Sequence, residues 1–336
     1  MRPFRRSRRP SPALRAAVTG TAATTLAAAL ALPLWRRKLG MPPALTAATV
    51  ASGPFAMAVL RPRSRGRDVA LYTLQMWAFT IAHELPYDDP EKLRQRLRVR
   101  YPIAADRVIG LGELPNLRLQ RALSRPGRVT TLDRALSAVH WAWFFEPHLT
   151  LLFVQARHID RFARAARQMA ATYDIGCALY YAVPTAPPWW AAENGFLDPE
   201  LERLPEEVAD EAAQAAPPQL RRLMIDVGEG VFERSWDRLY DALGGNPWAA
   251  MPSLHFATSL MAALLLAEIG PVPGALGAAY AATLGFALVY LGEHYVTDLV
   301  AGAAIVALVR RGEPVAEPLV NAVNGVLQRL ERIASG

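Results

Sequence analysis

Tyr290-Leu-Gly-Glu-His294-Tyr-Val-Thr-Asp298-Leu-Val-Ala-Gly302 sets an imidazole and a carboxylate four residues apart in an otherwise apolar stretch. On a helix that spacing stacks both side chains on one face. A second histidine opens another apolar run in Met251-Pro-Ser-Leu-His255-Phe256. Ionisable groups in membrane-grade sequence are costly and mark a functional site by default. The runs around them define the fold class: an all-α, polytopic membrane helix bundle.

Working outward, two apolar runs flank these motifs, about 252–269 and 273–291, and a third spans 294–309 before Arg310-Arg311. Upstream, runs are read at about 13–35, 43–60, 68–83, 132–156 and 168–183, giving about eight spans. The first run, behind the basic head Arg2 to Arg9, also has the small residues of a cleavable signal, and is read as an uncleaved span. Residues 84–133 differ, because their leucines and arginines alternate by face as in amphipathic segments on a membrane surface, with a bend at Pro115. The pair Trp189-Trp190 after a proline-rich stop suits a membrane–water interface. Residues 317–333 form an amphipathic helix by periodicity. The organisation expected is an N-terminal transmembrane extension (1–83), a catalytic membrane core (84–312) with interfacial segment 84–133 and outer loop 184–251, and an amphipathic tail (313–336).

The chain has 336 residues, 52% of them hydrophobic, which fits several spans joined by polar segments. The formal charge of +7 could point to nucleic acid, but there is no basic stripe with interleaved aromatics. Of the 37 basic residues only Lys38 and Lys92 are lysines, and the rest cluster between apolar runs as juxtamembrane anchors do. The lone Cys177 excludes an intrachain disulfide framework and a thiolate metal cluster. With the N-terminus in the cytoplasm, Arg2–Arg9, Arg61–Arg67, Arg157–Arg167 and Arg310-Arg311 all fall inside, and only Trp35-Arg-Arg-Lys38 breaks the rule. That arrangement sets 84–133, the tryptophan turn, His255 and His294 on the outer face of a cytoplasmic membrane. The histidines were not used to derive it.

The chemistry follows from the residue types. Pro252 suits a first helical turn, and Ser253 with neighbouring free N–H groups can receive a phosphate. The His294 imidazole is a competent nucleophile toward phosphorus, with Asp298 fixing its tautomer. His255 protonates the departing oxygen, a task suited to a pKa near neutrality. A phosphohistidine would then be released to water or to an alcohol. Neither a metal nor an organic cofactor is required, although two histidines and a carboxylate also match a facial metal triad. A hydrogen-bonded pair that only locks two helices is the structural alternative for His294 and Asp298. His140 and His148 read as interior or interface residues, His140 lying nearer the outer end of its span.

Pro252-Ser-Leu-His255 and Tyr290-Leu-x-x-His-Tyr-x-x-Asp298-Leu-x-x-Gly302 resemble the second and third signatures of the type 2 phosphatidic acid phosphatase superfamily. They are most similar to its inositolphosphotransferase branch, which includes inositol phosphorylceramide synthases. The resemblance covers residues 85–312 and is strongest over 246–302. It implies a six-helix core, a metal-independent phosphohistidine mechanism, and a lipid phosphate or phosphodiester substrate; the partner expected is a lipid phosphate or polyprenyl phosphate. By the same resemblance His294 is the nucleophile, Asp298 its partner, His255 the acid and Ser253 a phosphate ligand.

Leu254 stands where the phosphatase signature has glycine, Ala287-Leu288 where it has Ser-Arg, and the first signature is absent. The first two departures match the inositolphosphotransferase branch and leave the cationic phosphate clamp open. Arg107 is the first candidate, then Arg118, with Arg94, Arg100 and Arg121 beside them and Arg222, Arg234 and Arg238 in the long loop. Tyr290, which opens the third signature, is placed with the substrate. The function expected is a lipid phosphotransferase with a hydroxyl acceptor such as inositol or a sugar. A phosphatase using water is the alternative, and a proton-coupled transporter is the rival from another class.

Overall fold

The computed structural model describes residues 10–198, 219–232 and 246–336. Arg2–Arg9, the acidic stretch 202–211, Arg234, Arg238 and Gly244 lie outside the described residues. The described chain is helical, with isolated backbone bridges in place of strands. The helices are α1 Pro12–Leu39, α2 Pro43–Leu60, α3 Arg65–Glu84, α4 Pro90–Arg94, α5 Arg100–Ile109, α6 Pro115–Leu123 and α7 Thr131–Ala142. They continue with α8 Glu146–Arg157, α9 Ile159–Ala182, α10 Pro188–Glu193, α11 Leu223–Phe232, α12 Leu254–Ile269, α13 Pro271–Tyr290 and α14 Val296–Ser335. α1, α2 and α13 are long and apolar enough to cross a membrane, and α12 is a shorter apolar helix. The chain is a multi-pass membrane protein.

Two compact units divide the chain. One holds the described residues up to Asp88 together with Gly312–Gly336. There α1, α2 and α3 pack in sequence, and Trp77 Nε1 donates to the Ala29 carbonyl at 3.0 Å. The basic cluster that broke the arginine asymmetry is ion-paired in this unit. Arg36 is buried and forks onto Asp88 at 2.8 and 2.9 Å, with Glu84 at 3.0 Å and Arg37 joining Asp88 at 2.7 Å.

The other unit runs from Asp89 to Arg311. Its centre is the α12–α13 hairpin, with α8 and α9 against α12, and α6 and α7 against α13. The expected span 132–156 is corrected to two helices, α7 and α8, which break at Trp143–Phe145. Pro147 has no N–H to continue the ladder, and the amides of Trp143, Phe144 and Phe145 tighten onto carbonyls three residues back. The expected span 168–183 starts earlier, since α9 extends back through the arginines to Ile159. The last span and the tail, read as separate helices, are one continuous helix α14 that includes Pro314 and Pro318. Proline's fixed φ is itself helical, so each costs a hydrogen bond rather than the helix. The distal turns are held by Arg67–Glu331 at 3.0 Å and by Arg15 Nε donating to the Ala334 carbonyl at 3.0 Å.

Candidate active site

Thr185 joins the loops over this unit. It bridges Arg98 on one side and Ala249 on the other, and the Tyr101 hydroxyl lies 2.9 Å from its Oγ1. This knot directs the chain from Ala249 into the start of α12. Ser253 caps that helix, its Oγ accepting from the Phe256 amide at 3.3 Å. Tyr180 donates to the Pro252 carbonyl at 2.7 Å and fixes the turn ahead of the cap. Leu254, the residue in place of glycine, is accommodated by Gly176, where a Cβ would come within 2.4 Å of Leu254 Cδ2.

His255 therefore stands in the first turn of α12. His294 lies two residues before α14 rather than on it, a correction to the helical stacking expected from the spacing. The contact survives because Asp298, in the first turn of α14, reaches back. Its Oδ2 lies 3.3 Å from His294 Nδ1 and accepts from the Tyr295 amide at 2.8 Å. Across the site, His255 Nδ1 and His294 Nε2 are 3.1 Å apart. With Nδ1–H of His294 turned to the carboxylate, Nε2 carries the lone pair and His255 Nδ1–H is the donor. The two motifs are also tied by backbone, Ser253 N–H donating to the Asp298 carbonyl at 2.9 Å. Gly302 permits this closeness, since a Cβ there would lie 2.7 Å from the Ser253 carbonyl oxygen.

Three residues that sequence reasoning passed over hold this turn. Asn116 donates to the carbonyls of Val289 at 2.7 Å and His294 at 3.0 Å. Gln120 donates to Tyr290 O at 2.9 Å and to Arg221 O at 3.0 Å. The Asp106 carboxylate caps α14, accepting from the amides of Val296 at 2.8 Å and Thr297 at 2.9 Å. All three are buried, and they hold the turn that carries His294. Asp106 also occupies the helix end where an anion would otherwise bind.

The remaining candidates have contacts of their own. Ser253 is fully buried as a cap. Tyr290 donates its hydroxyl to Asp133. Arg118 donates to the Gly110 carbonyl and approaches Glu113, which also holds Arg121. Arg107 is half-buried on α5 beside Asp106. Arg222 lies 3.8 Å over the Trp189 ring and pairs with Glu193 at 3.2 Å. Burial pushes the Glu293 carboxyl above its ordinary range, Glu193 adding to this while His294 and Arg222 pull it down. Trp190 stacks on Phe196 and meets Trp248 edge-on, so this tryptophan packs among the loops of this unit. Among the described residues no group of three or more His, Cys, Asp or Glu is arranged to hold a metal ion.

A multi-pass helical membrane protein with two imidazoles in contact and a carboxylate behind one of them is the class that fold and site define. The PAP2 superfamily model matches residues 104–310, more than half of the chain, and the chain belongs to that superfamily. It is similar to an inositol phosphorylceramide synthase of Candida albicans (strain SC5314 / ATCC MYA-2876), 27% identical over 182 residues. That match covers 52% of this chain and 36% of the relative, so the chain spans about a third of the relative's length. No solved structure matches.

Proposed function

We propose that this protein is an integral membrane phosphotransferase that moves a phosphoryl-bearing group from a lipid to a hydroxyl acceptor through a phosphohistidine on His294. The observation that carries the reading is the 3.1 Å contact between His255 Nδ1 and His294 Nε2, with Asp298 3.3 Å from the far nitrogen of His294. His294 Nε2 attacks phosphorus, and the bond to the lipid oxygen breaks. His255, entering as an imidazolium, passes a proton to that oxygen and is left neutral. His255 then takes a proton from the incoming hydroxyl, whose oxygen displaces His294, restoring the His255 imidazolium and the neutral His294. Asp298 holds His294 Nδ1–H throughout and stabilises the positive ring of the intermediate.

The similarity to a protein named as a synthase supports transfer to an alcohol, such as inositol or a sugar, over release to water. The arginine asymmetry supports a cytoplasmic membrane with the site on the outer side. The test is phosphate release from a lipid phosphate, measured with and without candidate alcohols, together with trapping of an acid-labile phosphoenzyme from radiolabelled lipid. Transfer predicts label in an alcohol product. Water-only release would make the enzyme a phosphatase. A phosphoenzyme that still forms in His294→Ala would overturn the assignment of the nucleophile.

A further inference from the structure

His140 is a buried imidazole, 7% exposed, for which the reaction above has no use. Among the described residues, neither of its ring nitrogens meets a hydrogen-bonding group. Its ring lies on His255, centroids 4.8 Å apart and planes tilted by 31°, and it is within electrostatic reach of His294. Buried polar groups without partners are rare, because each gives up its hydration for nothing in return.

The helix that presents His140 is fixed. α7 starts with a reciprocal cap between Thr130 and Asp133, and Asp133 is held by the Tyr290 hydroxyl of α13. Tyr280 of α13 donates to the Val139 carbonyl at 3.1 Å, next to His140. One turn on, Trp143 packs 4.1 Å from the His255 ring and its indole N–H donates to Thr258 of α12 at 2.8 Å. His140 and Trp143 thus both lie against His255. Trp143 satisfies its polar atom on the protein, and His140 does not.

A phosphate brings several strong acceptor oxygens, more than the His255 proton serves. Arg118 and Arg121 are engaged with the α5–α6 turn, and Ala287-Leu288 is buried apolar core. We propose that His140 is a substrate-binding residue, donating a ring N–H to a non-bridging phosphate oxygen of the lipid held beside the His255–His294 pair. This rests on the phosphoryl-transfer reading of that pair.

The experiment uses the purified full-length protein, with dioctanoyl phosphatidic acid as the turnover probe and orthovanadate as the binding probe. His140→Phe keeps a ring against His255 and removes both nitrogens, His140→Leu is a second apolar variant in case the first fails to fold, and His140→Gln restores a donor. The apolar variants are expected to lose roughly 10- to 100-fold in kcat/KM, the worth of one hydrogen bond to a charged group, with part of it recovered by glutamine. Wild-type kcat/KM in a folded apolar variant would overturn the proposal and leave His140 a packing platform. If the wild type does not turn over the probe, that counts against the parent reading, and the orthovanadate-induced rise in unfolding temperature judges His140 alone. A rise in wild type that is lost in the apolar variants supports the site. An equal rise in all, or none in wild type, overturns it.

Discussion

Asn116 holds His294 by its backbone, giving one carboxamide proton to the His294 carbonyl at 3.0 Å and the other to Val289 at 2.7 Å. Both bonds are buried and cross more than 170 positions of sequence. The turn carrying His294, the proposed nucleophile, is therefore fixed from α6 through its backbone. Asn116→Leu leaves the buried His294 carbonyl without that donor, at a cost of about 1–3 kcal/mol, while Val289 keeps the Gly292 amide at 3.2 Å. The expected result is a lower unfolding temperature and a kcat reduced about tenfold or more, since small displacements of reacting groups are amplified in rate. KM should change little. Steady-state kinetics and thermal unfolding of the purified variant check both.

Asp298 lies wholly inside the protein, with Oδ2 shared between His294 Nδ1 and the Tyr295 amide. Asp298→Asn preserves size and offers His294 an amide in place of a carboxylate. The amide favours the wrong tautomer and provides no charge for the positive ring, so kcat should fall by roughly 10³-fold or more. Phosphoenzyme trapping should show the loss in the formation step. Circular dichroism should stay unchanged.

His255, His294 and Asp298 were legible as a candidate site because they interrupt apolar text, where polarity is conspicuous. The residues that hold them in place were not. Asp106, Asn116 and Gln120 sit in an amphipathic stretch where neutral amides look like surface, and their partners are main-chain atoms far along the chain. Periodicity reports faces, not which distant carbonyl a face meets. The break between α7 and α8 did leave a signal, since Glu146-Pro147 falls in the middle of the apolar run. The continuous α14 ran against the usual reading of proline as a stop, because contacts at Glu331 and Ala334 sustain the helix beyond Pro318. His140 looked like an ordinary interior histidine until its ring was found against His255.

Gly302 makes the closing glycine of the motif a packing requirement. A methyl group there would lie 2.7 Å from the Ser253 carbonyl and 3.4 Å from Ala257 Cβ, so α12 and α14 would have to part. Gly302→Ala should destabilise the protein by about 1–3 kcal/mol, as overpacking does. Because Ser253 N–H bonds Asp298 O at this contact, the His255–His294 separation should widen and kcat fall as well. Gly312→Ala, with open space around its Cβ position in the same helix, is the control: it should keep wild-type kcat and be as stable as wild type or up to about 1 kcal/mol more so.

Acid should act on the N-terminal unit through Asp88. Burial alone would raise its pKa, but hydrogen bonds from Arg36 and Arg37 and their positive charge outweigh it, and the carboxyl is held below its usual value. A carboxylate depressed on folding contributes stability that is fully present above its unfolded pKa, about 3.9, and is lost as pH falls through the lower folded value. The Asp88 contribution should therefore stay constant from neutrality down to about pH 5 and be lost below about pH 4. Asp88→Asn should lower the unfolding temperature at pH 7, because the Arg36 guanidinium loses its bidentate partner while still buried. It should also flatten the acid limb of the profile. Equal pH profiles for wild type and variant would show that the Arg36–Asp88 pair does not contribute to stability.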